Sequence, residues 1–198
     1  METIEIYTRV ATILHLIGVI LGVGSATITD ILFFRFVGDK HITAKEAKLM
    51  DSLTKIIWIA LIILIVSGIM LFIPSFERLA NSGKFLTKNF GLLVLVINGL
   101  VLGYYIRPKL VKIDFSNNGK SRFGLSHEVN RKMRRLATIA GVVSITTWYF
   151  IFILGALRGI TFPAVYGISI YICLLIITCI GGLMHENGVF RKIQRKLH

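Results

Sequence analysis

Five stretches of this chain, residues 11–34, 56–73, 90–106, 136–157 and 163–184, are apolar over 17 residues or more. At about 1.5 Å per residue each reaches roughly 25–36 Å, enough to cross a hydrocarbon core about 30 Å thick. In lipid only a helix satisfies its own backbone over a single span. The expected fold is therefore all-α: a polytopic membrane bundle of five transmembrane helices, with residues 1–198 forming one domain because no connection is long enough to hold another. Composition agrees, with 55% apolar and 17% charged residues and a mean hydropathy of +0.75, against roughly 45–50% and 25% in soluble domains.

A net charge of +13 would suit a nucleic-acid partner if the basic residues were clustered on one surface, but they are sorted by segment. Alternate connections and the tail hold 18 of the Lys and Arg side chains and the others hold 5. That bias places the N-terminus outside and the C-terminus in the cytoplasm, in the manner of a bacterial inner-membrane protein. No nucleic-acid partner is expected. Lys109, Lys112, Arg131, Arg134 and Arg135 would meet anionic lipid at the cytoplasmic face, at about 1 kcal/mol each. Reporter fusions after Arg78 and after Lys120 are expected to lie on opposite sides, the second in the cytoplasm; the same side for both would refute five spans.

Glu2 and Glu5 stand where a signal peptide has basic residues, and no Ala-x-Ala site follows, so the first apolar stretch reads as a retained helix. Cys173 and Cys179 are six residues apart on one helix, about 120° around it and out of disulfide reach.

Helix punctuation is clear at several points. Thr43-Ala-Lys-Glu46 has the form of a capping box leading without a break into the second span. Ser126-His-Glu opens a polar run that merges into the fourth span, and both extensions begin ten residues before a leucine, Leu53 and Leu136, a spacing that hints at two copies of one unit. Asn81-Ser-Gly83 and Asn117-Asn-Gly119 read as turns, Arg107-Pro108 as the end of the third helix, and Pro163 as first-turn residue of the fifth. Trp58, Tyr104, Tyr105 and Tyr166 fit interfacial belts.

Ionisable groups inside a span cost about 3 kcal/mol or more, and persist where they have a partner or a task. The first span holds two, His15 and Asp30. Gly18, Gly22 and Ala26 recur every four residues on the same face, a small-residue stripe of the kind that packs helices closely, so His15 is expected to point into the bundle. There it bonds a neighbouring helix, ligates haem or a metal, or relays protons. The other histidines, His41, His127, His185 and His198, belong to helix ends, connections or the tail. Met70 on the second span falls within about one turn of His15 in depth, which opens a His15 and Met70 site for haem or copper. Asp30, a turn inside the cytoplasmic boundary, calls for a partner such as Arg134 or Arg135, or else serves a proton or cation. Asn98 at mid-membrane, with Ser144 and Thr147, would bond across helices or line a small polar cavity.

The run His15-Leu-Ile-Gly-Val-Ile-Leu-Gly-Val-Gly24, closed by Phe33-Phe-Arg35, resembles the first span of copper-resistance protein D-like proteins and of the HemJ-type protoporphyrinogen oxidases. That resemblance implies a haem-binding role for His15. The leading reading is thus a haem b or copper-handling protein using His15 and Met70; the alternatives are a small carrier using Asp30 near Asn98 for a proton or cation, and then a non-catalytic accessory subunit whose glycine stripe docks a partner helix or a second copy.

Overall fold

The computed structural model describes residues 2–38, 43–110, 127–157 and 159–195, and every regular element among them is helical. Among the described residues five helical runs are long and apolar enough to cross a membrane, with mean hydropathies between 1.8 and 3.1. Their outward faces stay bare, Ile20 at 69% exposure and Ile177 at 67%, as suits a bundle solvated by lipid. The expected all-α, multi-pass architecture is the one observed. His41, Lys112, Asn117-Asn-Gly119, Ser126 and His198 lie outside the described residues.

Helix α1 (Glu2–Gly38) runs about 55 Å at 1.5 Å per residue, so it projects beyond a hydrocarbon core. Helix α2 (Ala44–Phe72) opens on the capping box: Glu46 N donates to Thr43 Oγ1 at 3.3 Å and Thr43 N donates to Glu46 Oε2 at 2.8 Å. A 3₁₀ turn, Ile73–Ser75, and the short α3 (Phe76–Ala80) lead to α4 (Gly83–Leu100).

Helix α4 begins at Gly83 rather than at Phe90, because Ser82 caps it by accepting from Phe85 N at 3.4 Å. Lys84 and Lys88 thereby enter the helix instead of a connection. Lys84 Nζ donates to the Leu157 carbonyl, setting a cation on the end of the following long helix, where the helix dipole is negative.

The third span ends at Ile106, directly before Arg107-Pro108, but the helical path runs on past the proline. A π-helical segment, Val101–Ile106, precedes it, and α5 (Arg107–Leu110) carries the ring. A proline inside an α-helix removes a donor and collides with the carbonyl four residues back; the wider π turn absorbs both faults. Helix α6 (His127–Ala156) contains the expected polar extension, and α7 (Ala164–Arg195) starts just after Pro163. Pro163 supplies the first carbonyl, accepting from Tyr166 N at 3.1 Å, and so caps the helix instead of entering its first turn.

The glycine stripe of α1 is buried as expected: Ala26 is 1% exposed, and a β-carbon at Gly18 would sit 2.9 Å from Leu64 Cγ of α2. At Gly22 it would overlap the Trp148 ring of α6. The stripe is filled by the chain's own helices. Helix α6 touches α1, α4 and α7. Its contact with α7 centres on the fully buried Tyr171, whose hydroxyl lies 2.7 Å from Thr147 Oγ1 and whose ring stacks on Phe150 at 4.9 Å.

Candidate functional site

Where α1, α2, α4 and α6 converge, two apolar clusters meet. One gathers Phe33, Ile106, Met133, Ala137 and Ala140 near the end of the bundle where α1 finishes and α6 starts, and the other gathers Ala26, Leu61, Leu64, Leu95 and Trp148 deeper in. Between them is a cavity of about 90 Å³ bordered by Asp30, Asn98 and Ser144, large enough for several waters. Three polar residues singled out from sequence on three different spans are therefore brought to one place. The π segment borders it as well, through Leu102 and Ile106.

Asp30 is 6% exposed, and its Oδ2 is buried without a hydrogen-bond partner. The basic partner that its depth demanded is not found among the described residues. Among the described residues no ion pair joins Asp30 to Arg134 or Arg135; Arg134 is buried and engaged elsewhere, and Arg135 points outward. Helical rise explains the miss. The α6 residue beside Asp30 is Gly141, where a β-carbon would sit 3.2 Å from Oδ1, and Arg134 lies about two turns away toward the helix start.

The other polar groups are largely satisfied by backbone. Asn98 Nδ2 donates to the Ala140 carbonyl of α6 at 2.9 Å, the cross-helix bond expected of it, which leaves Oδ1 as an acceptor. Thr29 and Thr54 donate to the carbonyls of Ser25 and Met50 at 2.7 and 2.8 Å. Thr147, expected beside Ser144, instead turns to Tyr171 because its face of α6 meets α7. Trp58 is not a belt residue: it borders the cavity and packs over Gly99, whose β-carbon would lie 3.2 Å from Cζ2. Trp148 borders the same space. Tyr104, at 82% exposure, and Tyr166, at 65%, do face outward.

His15 lies half-buried toward the opposite end, with Nδ1 3.0 Å from Ser67 Oγ of α2. Ser67 is fully buried and gives its own proton to the Ile63 carbonyl at 2.6 Å, so its oxygen accepts from His15. We infer the Nδ1–H tautomer from this pairing, with Nε2 carrying the lone pair. Met70 stands on α2 one turn beyond Ser67. Among the described residues no group of three or more His, Cys, Asp or Glu side chains is gathered for a metal. A double-mutant cycle of His15→Ala and Ser67→Ala, read by thermal unfolding in detergent, is expected to show coupling of about 0.6–1.7 kcal/mol. Additive effects would refute the bond.

Two features went unread in the sequence. Trp58 differs from a belt residue only in which face of the helix it occupies, and the π segment left a single sign, Pro108. No protein-family model, curated protein or solved structure matches this chain.

Proposed function

We propose that this multi-pass membrane protein is a small carrier whose Asp30 takes up a proton or a cation inside the bundle. The observation that carries the reading is the buried Asp30 carboxyl with one oxygen unpartnered at the edge of a cavity. A bare carboxylate in such a place is costly by about 3 kcal/mol or more, and a proton or bound cation removes that cost. A structural ion pair would do the same, yet the described residues supply no cation to Asp30. An accessory subunit docking through its glycine stripe is less well supported, since Leu64 and Trp148 occupy that stripe. On the charge bias of the connections, the cavity belongs to the cytoplasmic half.

In proteoliposomes holding a trapped pH-sensitive dye, gradients of sodium, potassium or a small ammonium ion are imposed one at a time. At least one is expected to shift lumenal pH through the wild-type protein and not through Asp30→Asn. If no gradient produces an Asp30-dependent shift, the carrier reading is wrong.

A second reading attaches to His15. Its Nδ1 is anchored by Ser67, the arrangement that fixes an imidazole for ligation through Nε2, so His15 fits one axial position on haem or one ligand of copper, with Met70 as the second donor. A visible absorption band in the purified protein that His15→Ala removes would support it. A colourless, copper-free protein as purified from haem- and copper-replete cells would count against it.

A further inference from the structure

The cavity's chemistry bears on which cation the carrier takes. Building on the carrier reading, we propose that the ligand of the Asp30 cavity is a small organic ammonium ion, of the size of tetramethylammonium or a short alkylamine, held by the Asp30 carboxylate and the rings of Trp58 and Trp148.

The first argument is the imbalance of the lining. Among the described residues of the lining Asp30 is the one titratable group, with no second charge beside it. Calcium takes six to eight oxygen ligands and magnesium a near-ideal octahedron. The cavity offers one carboxylate, the Asn98 Oδ1, the Ser144 hydroxyl and two threonine hydroxyls already turned to their own backbones. A divalent cation entering there would have half of its charge left unmatched by the single carboxylate. An alkylammonium spreads its charge over methyl or methylene groups, and aromatic rings attract it through their negative faces.

The second argument is shape and size. Trp58, Trp148 and Phe33 border the space from α2, α6 and α1, so aromatic surface comes from three helices while the single anion sits on one. A volume of about 90 Å³ is smaller than the roughly 150 Å³ apolar cavity that accepts benzene, which limits a fully enclosed ligand to a few heavy atoms. Gly141 sets the clearance beside Oδ1, since a β-carbon there would stand 3.2 Å from that oxygen.

The chain has two tryptophans and both border this cavity, so the intrinsic fluorescence of the intact protein reports on it directly. Purified protein in detergent is titrated with tetramethylammonium chloride, with sodium chloride at matched ionic strength, and with tert-butanol as a neutral body of similar size. The expected result is a saturable fluorescence change with tetramethylammonium and none with the other two. Asp30→Asn should weaken it at least tenfold, Gly141→Ala should weaken it with Asp30 intact, and Trp58→Leu should weaken it about tenfold with Trp148 as the remaining reporter. Elution of each variant as the wild-type species in gel filtration keeps a folding defect from passing as lost binding. No saturable change, an equal change with tert-butanol, or an unaltered affinity in Asp30→Asn overturns the proposal. An Asp30-dependent change with sodium alone also overturns it, while leaving the carrier reading intact. Binding of tetramethylammonium without any Asp30-dependent proton movement in vesicles upholds the ligand and removes the carrier.

Discussion

Gly22→Leu is expected to prevent assembly of the bundle, whereas Gly24→Leu, two residues further along the same helix, is expected to be tolerated. The difference lies in what a β-carbon meets. At Gly22 it would overlap the Trp148 ring, and at Gly24 nothing lies within 4 Å. Trp148 can give way only toward the cavity it borders, since it is 3% exposed and otherwise packed in one cluster with Ala26, Leu61, Leu64 and Leu95. Overpacking a filled core costs about 1–3 kcal/mol for modest insertions, and a leucine adds four carbons where none fits. Without a hydrophobic drive between helices in lipid, close backbone approach is itself a main source of cohesion, so forcing α1 from α6 removes the contact as well as straining it. Gly22→Ala should show the lower end of that range as a fall in thermal unfolding temperature in detergent. Leu21→Phe, on a face 36% exposed, should leave the temperature unchanged. Equal tolerance at Gly22 and Gly24 would mean that the stripe faces lipid.

That stripe was legible because spacing alone fixes which residues of one helix share a face. The capping box at Thr43 and the polar start of α6 were legible for the same reason: each is a local relation within a few residues. What escaped were relations across helices. Asp30 was given Arg134 on the ground that both stand at the same end of the membrane, but the α6 residue opposite it is Gly141, two turns on, a register no linear pattern states. Trp58 resembled a belt residue until α4 placed Gly99 against it. Helix α4 gained about two turns at its start because capping by Ser82 outweighed the charge of Lys84 and Lys88, a contest that a hydropathy profile decides the other way. His15 was expected to bond a neighbouring helix or hold a cofactor, and Ser67 answers the first without removing the second.

Asp30→Asn and Asp30→Leu are both expected to make the bundle more stable while removing the transport proposed for Asp30. Had Asp30 been one half of an ion pair, Asn would have been mild and Leu harmful, since deleting one partner strands the other charge. The structure reverses that expectation, because the described residues give Asp30 no cation and leave its Oδ2 without a hydrogen bond. No partner is stranded by its loss. Asn is isosteric and clears Gly141 as Asp does, and Leu extends into the adjoining cavity of about 90 Å³. The gain follows the cost of the charge it deletes, about 2.5–3.5 kcal/mol on insertion scales for an ionised group and less for a protonated one, and should read as about 1–3 kcal/mol in detergent unfolding, larger for Leu than for Asn because an amide keeps an unsatisfied polar atom. Functional sites retain such destabilising groups for what they do, so stability and activity move in opposite directions when they are replaced. Loss of stability in Asp30→Asn would instead reveal a partner for the carboxylate and return Asp30 to a structural role.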